Sequence, residues 1–137
     1  MRDPDCIFCR IVDGEMPATI VDEDHHTLAF MDIAPATRGH ALVIPRNHTR
    51  DLTTVPEGDL KAVAAAAQRL AKRSLEVFGA DGVNLLNSAG RDAWQTVFHF
   101  HIHVIPRYAA DPLKLPWVPA AGEAGDIAAA AAAMAAD

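Results

Sequence analysis

The chain has 137 residues, half of them hydrophobic, and a formal net charge of −6 with its histidines neutral. That length fits one domain with a real apolar core and excludes a chain disordered over most of its length. The acidic balance excludes broad binding to a nucleic-acid backbone, which needs a basic face, but leaves room for a small phosphorylated ligand held by local donors. No apolar run reaches membrane-spanning length and Met1–Asp5 is polar, so a cytoplasmic protein with no membrane partner is expected.

Cys6 and Cys9 are the only cysteines. In a reducing compartment a pair at this spacing reads as metal ligands or as a redox motif, not as a structural disulfide. A short helical turn is predicted from Cys6 to before Gly14, with Pro17 enforcing a break. β-rich runs follow at Thr19–Asp22 and Thr27–Asp32. The stretch Pro35–Gly39 reads as a turn that feeds a strand at His40–Ile44, stopped by Pro45. Thr54-Val-Pro-Glu57 reads as a capping box. Behind it Leu60, Val63, Ala64, Ala67, Leu70, Ala71, Leu75 and Phe78 recur at helical spacing up to Gly79, which supplies the stop. This predicts one long helix covering a face of a sheet.

Two further strands are predicted, Gly82–Asn87 and Val97–Pro106, joined by the polar loop Ser88–Gln95. From Asp111 onward periodicity is lost, and the alanine-rich end from Asp126 carries no assigned chemistry. Strands adjacent in sequence with segregated helices predict an α+β fold, an antiparallel sheet of about five strands with one long helix and a short N-terminal helix. The division expected is a domain over residues 1–110 and a C-terminal extension over 111–137.

The segment richest in chemistry is His99-Phe-His-Ile-His-Val-Ile-Pro-Arg107. Alternate side chains of a strand share a face, so His99, His101 and His103 are expected on one side, roughly 6.6–6.8 Å apart along the strand. Phe100, Ile102 and Val104 then face the long helix. A row of imidazoles serves either metal binding or acid–base and nucleophilic work near neutral pH. Two thiolates and two histidines make a common zinc set, so both uses are open here.

This segment resembles the signature of the histidine triad (HIT) family. Cys6-Ile-Phe-Cys-Arg-Ile11 is similar to the N-terminal zinc half-site of many bacterial members. Phe30–Pro35 and Arg38–His48 resemble the family's ribose-binding and second-histidine region, and Gln95–His99 resembles the lead-in to the triad. The resemblance covers roughly Cys6 to Tyr108. It implies a HIT-like fold and a homodimer whose two sheets join into one. It implies His101 as the nucleophile that becomes nucleotidylated, His103 beside the leaving group and phosphate oxygens, and His40 as a further active-site histidine.

By the same resemblance, Asp32 binds ribose, Asn87 neighbours the sugar or phosphate, and Gln95 and Thr96 offer phosphate donors. Cys6, Cys9, His48 and His99 are implied as ligands of a structural zinc, with no catalytic cofactor required. Trp94 departs from the pattern, standing where many members have glycine. The activity implied is hydrolysis of purine nucleoside phosphoramidates or related nucleoside monophosphate derivatives through a covalent nucleotidyl-histidine. Hydrolysis of dinucleoside polyphosphates by the same mechanism, and a nucleotide-binding or interaction role with vestigial activity, stay open.

Overall fold

In the computed structural model, which describes residues 2–136, five strands form one antiparallel sheet. They are β1 (Ile20–Glu23), β2 (Thr27–Met31), β3 (Ala41–Pro45), β4 (Gly82–Leu86) and β5 (Ile102–Arg107), in the spatial order β1-β2-β3-β5-β4. Among the described residues the helices are α1 (Ile7–Val12), α2 (Glu57–Val77) and α3 (Ala124–Ala135), with a 3₁₀ turn at Arg91–Ala93. The α+β expectation therefore holds, with α2 as its long helix. Among the described residues no helix is long and apolar enough to cross a membrane.

The middle strands β2 and β3 are short continuous apolar runs because both of their faces are covered. On one face Ala29, Ala41, Val43, Phe100 and Val104 pack against Val63, Ala66, Ala67 and Leu70 of α2. On the other face Leu28, Phe30, Leu42 and Ile44 pack with Cys6, Phe8 and Cys9 around α1. The period of two along residues 99–104 therefore sends Phe100 and Val104 toward α2 and the histidines toward α1.

Three local expectations are corrected. The helix start is not a capping box: Pro56 is the N-cap, with extended backbone and no side-chain cap, and the Thr54 hydroxyl bonds to the Asp51 carbonyl at 3.2 Å. Glu57 and Asp59 occupy the first turn instead, where carboxylates offset the helix dipole. The buried stripe of α2 also runs through Ala66 and Ser74, while Leu75 is 48% exposed. Ser74 fits against the sheet because its hydroxyl is satisfied within the helix by Leu70 O at 2.9 Å.

The third correction concerns the triad strand, which begins at Ile102 and not at Val97. Pairing of β3 with β5 ends at Val43↔Ile102, next to Ile44 and the proline that has no N–H to give. Residues 99–101 are held by substitutes for a ladder. The Phe100 N–H donates to Thr49 O at 2.8 Å, the His99 ring bonds Pro45 O at 2.8 Å, and the Asn87 amide donates to His101 O at 2.9 Å. At the end of the chain, α3 begins at Ala124, capped by the Glu123 carboxylate, and every residue in it is exposed.

Gly39 fixes the entry to β3. Its φ is +92°, and a Cβ there would lie 2.5 Å from Phe78 Cε2 and 3.2 Å from Pro106 Cγ. Only glycine meets both demands, and the next residue is His40.

Candidate active site

A cleft of about 300 Å³ opens on the α1 face of the sheet. Ile7, Phe8 and Ile11 of α1 and Phe30 of β2 form its apolar side, and Asp32, Thr96, His101 and His103 form its polar side. An apolar slot ending in a few convergent polar groups is the usual form of a small-ligand site. Trp94 is outside it: the residue is 62% exposed, at φ +77°, and absent from the cleft lining.

The hydrogen bonds assign the tautomer of each histidine around the cleft. His101 is buried, and its Nδ1 lies 2.7 Å from the carbonyl oxygen of His99. A carbonyl only accepts, so Nδ1 carries the proton and Nε2 keeps a free lone pair. For His40, the Ala36 N–H donates to Nδ1 at 2.9 Å, so its proton sits on Nε2. That Nε2–H donates to His103 Nδ1 at 2.9 Å, which puts the His103 proton on its own Nε2. The two neighbouring triad rings thus present opposite faces of imidazole chemistry: a lone pair on His101 and an N–H on His103.

Burial keeps these rings neutral. It lowers the pKa of His101 against the support of the His99 carbonyl, and lowers that of His40 against the pull of Asp32. For His103, burial acts first, then proximity to His101 and His40, and together they bring it down to about 4. Asp32 meets this group from the strand end. Its Oδ1 accepts the Ala34 N–H at 2.8 Å, which makes the local turn. Its Oδ2 lies 3.4 Å from His40 Nε2 and 3.9 Å from His103 Nδ1.

Two predicted residues take other positions. Gln95 is buried with its amide fully engaged: Oε1 accepts from Gly90 N at 2.8 Å, and Nε2 donates to Arg50 O at 2.8 Å and Val97 O at 3.1 Å. That side chain closes the loop and is not on the cleft lining, whereas Thr96 is exposed and does line the cleft. Asn87 holds the backbone of His101 and is likewise off the lining. Sequence reasoning missed Ile7, Phe8 and Ile11, because the Cys-x-x-Cys spacing drew attention to the sulfurs. Apolar residues at i, i+1 and i+4 on the same short helix were the available signal.

Beside the cleft, Cys6, Cys9, His48 and His99 converge, their ligand atoms all within 4.8 Å of one another. Sγ of Cys6 is 3.5 Å from His99 Nδ1, and Sγ of Cys9 is 3.3 Å from His48 Nδ1 and 3.6 Å from His99 Nδ1. The two Nδ1 atoms are 3.3 Å apart. A tetrahedral zinc with bonds of about 2.3 Å to sulfur and about 2.0–2.1 Å to nitrogen sets S···N edges near 3.5 Å and N···N edges near 3.3 Å. His99 spends its Nε2 proton on Pro45 O, so its Nδ1 offers a lone pair to the cluster, and burial holds its pKa at about 4. The donor set fits a closed four-coordinate ion.

Asp32, His40 and His103 also converge within 4.8 Å, but their chemistry is different. With Ala36 N–H on Nδ1, a cation at His40 Nε2 would have to displace the proton of a neutral ring. That cluster is a hydrogen-bond relay.

The HIT-domain family profile matches residues 13–110. The chain belongs to the histidine triad family. An uncharacterised HIT-like protein of Methanocaldococcus jannaschii is 43% identical over 106 residues, 77% of this chain and 81% of that one. A zinc-bound histidine triad family protein from Mycobacterium smegmatis is 44% identical with a TM-score of 0.78, covering 95% of this chain and 94% of that one. A histidine triad nucleotide-binding protein from Candida albicans is 31% identical with a TM-score of 0.83, covering 94% of each. HIT membership supports a function of the nucleotide-binding or nucleotide-hydrolase type for this chain.

Proposed function

We propose that this HIT protein hydrolyses purine nucleoside phosphoramidates or related nucleoside monophosphate derivatives, through a covalent bond between phosphorus and His101. The observation that carries this reading is the pairing of the His99 carbonyl with His101 Nδ1, which leaves Nε2 as an unprotonated nucleophile at the cleft. In the first step His101 Nε2 forms a bond to phosphorus and the bond to the leaving nitrogen breaks. His103 Nε2–H donates to that nitrogen, which takes its proton from water as it departs, while His40 supports His103 at Nδ1. In the second step water attacks phosphorus, its proton passes to solvent, and His101 is released. No cofactor enters either step.

In this reading the base packs against Ile7, Phe8, Ile11 and Phe30, and the ribose hydroxyls meet Asp32, a reading supported by the cleft lining. Thr96, which lines the cleft, meets the phosphoryl oxygens in this reading, with Gln95 and Asn87 holding the loop and His101 in position. Cys6, Cys9, His48 and His99 hold a structural zinc in this reading, supported by their spacing and by the zinc-bound relative from M. smegmatis. When bound, the ion neutralises the thiolates and pins α1 to the triad segment. A homodimer is proposed through the free edge of β4, where Leu85 is 52% exposed. A cytoplasmic setting suits the two free thiols.

The test is intact-protein mass spectrometry after brief mixing with adenosine phosphoramidate, on wild type and His101→Asn. The reading requires a transient adduct of one nucleotidyl group on wild type alone, with product release. Turnover of diadenosine polyphosphates in place of phosphoramidates would move the substrate assignment and keep the mechanism. Nucleotide binding with neither adduct nor turnover would replace the hydrolase with a binding protein.

A further inference from the structure

Residues 2–16 carry both cysteines and one wall of the cleft on the same short element. A six-residue helix does not hold its shape in water unaided. Cys6, at its N-cap, and Cys9 face His48 and His99, while Ile7, Phe8 and Ile11 face the cleft. Among the described residues, few polar ties join this segment to the rest of the chain. They are the Arg2 guanidinium on Arg46 O, Asp3 at 3.8 Å from His48, and the sulfur–imidazole contacts of Cys6 and Cys9. All of them converge on one corner, and that corner is the cation cluster.

Phe8 connects the corner to the chemistry. It is 5% exposed, and its ring stands edge-on 5.9 Å from His99 and 5.2 Å from His101. It also packs edge-on against Phe30 on the apolar side of the cleft, at 5.4 Å. One side chain therefore touches a cluster histidine, the nucleophilic ring and the apolar slot.

We infer that a cation held by Cys6, Cys9, His48 and His99 sets the position of α1 and, through Phe8, the shape of the nucleotide cleft, so that metal and nucleotide bind cooperatively. The inference rests on the metal and nucleotide readings above and adds an energetic link between them. Phe8 is the positioning residue of that link: it offers the ion no ligand atom, yet it moves with the helix the ion holds. Without the ion, the apolar wall keeps only Arg2, Asp3, the weak sulfur–imidazole contacts and the packing of Cys6, Phe8, Cys9, Ile11 and Val12 against β2 and β3, and nucleotide must order it on binding. By linkage the effect is reciprocal, and the same factor must be found in both directions.

The experiment uses the full chain, Zn²⁺ and AMP. AMP affinity is measured calorimetrically with one equivalent of Zn²⁺ and after chelation, and Zn²⁺ affinity is measured by competition with a chromophoric chelator, with and without saturating AMP. AMP is expected to bind at least fivefold tighter to the zinc form, with Zn²⁺ affinity raised by the same factor. Phe8→Ala, with its ligands intact, is expected to keep one equivalent of Zn²⁺ while the ratio falls to within twofold of unity, and Phe8→Leu to restore part of it. Hydrogen exchange on the zinc-free chain is expected to release the amides of α1 while the sheet stays protected. Stoichiometric Zn²⁺ with equal AMP affinity in both forms overturns the coupling and leaves the metal reading standing. A chain that takes up no Zn²⁺ removes the metal reading itself. Loss of protection across the whole sheet also overturns the inference, because the ion would then hold the fold and not the wall.

Discussion

His101 donates its Nδ1 proton to the carbonyl oxygen of His99, two residues earlier in the chain, across 2.7 Å. The bond is possible because residues 99–101 precede the ladder of β5, so this carbonyl has no strand partner to serve. The same departure from regular pairing leaves His101 O to the Asn87 amide. An irregular backbone is thus what fixes the ring and its tautomer.

The first prediction concerns that ring. His101→Asn keeps a polar side chain of smaller volume and has no nucleophilic nitrogen. Turnover of adenosine phosphoramidate should fall at least about 10³-fold, as removal of a covalent nucleophile commonly does. AMP affinity should change by less than about tenfold, since the ring is one of several contacts. Steady-state kinetics beside equilibrium titration of AMP checks both numbers. Turnover within tenfold of wild type would remove His101 from the chemistry.

The pH dependence follows from the depressed histidines. His101, His40 and His103 all lie below the ordinary value of 6.5, His103 at about 4, with burial as the leading cause in each case. The neutral form of His101 is the active one, so kcat/KM should be flat from pH 8 to about 6.5 and fall only on the acid side, with a midpoint below 6.5. The apparent value belongs to the coupled rings together. Stability has the same sign. Below pH 6.5 the unfolded chain binds protons that the folded rings refuse, so unfolding free energy is lost as pH falls from about 6.5 toward 4 and is level above. Urea melts across pH 4–8 test this. A midpoint above 6.5 in the rate profile would contradict the burial argument.

The period of two in His99, His101 and His103 was readable in the sequence because it is a local property of extended backbone. It survives even though residues 99–101 lie outside the ladder. The Gly79 stop was readable for a similar reason, as the chain needs φ of +63° there. What could not be read were partners supplied by backbone groups far away in sequence: Pro45 O for His99, Thr49 O for Phe100, and the Ala36 N–H that decides the tautomer of His40. Side-chain identity carries no record of these. Gln95 illustrates the consequence, since its amide looks free for a ligand until the carbonyls of Arg50 and Val97 are brought to it. The stripe of α2 failed at Leu75 because hydropathy ranks leucine above serine, whereas close approach to the sheet favours the smaller Ser74.

His40 tests the relay. Its Nε2–H is the only donor placed on His103 Nδ1 among the described hydrogen bonds. His40→Ala should free the His103 ring to flip or change tautomer, lowering kcat by roughly 10–100-fold, no more than the loss of one positioned hydrogen-bond donor. AMP affinity should move less than about threefold, and His40→Gln, which retains an N–H donor, should recover part of the rate. A loss confined to KM would instead assign His40 to binding.

Gly39 offers a prediction in which two physical effects separate. Gly14 has φ of +77° and nothing within 4 Å of a built Cβ, whereas Gly39 has φ of +92° and would meet Phe78 at 2.5 Å. Alanine at Gly14 therefore incurs backbone strain alone, about 1 kcal/mol. Alanine at Gly39 adds a collision with an aromatic ring wedged beside Pro106 at the C-terminus of α2, raising the cost to about 2–4 kcal/mol. For a chain of this size that difference should appear as a Tm drop of a few degrees for Gly14→Ala and roughly 10 °C for Gly39→Ala. The second substitution also displaces His40, the next residue, so kcat should fall in Gly39→Ala even well below its Tm and stay near wild type in Gly14→Ala. Thermal melts paired with rates at low temperature separate the two. Equal Tm values for the variants would mean that Phe78 yields freely and that α2 does not brace the turn before His40.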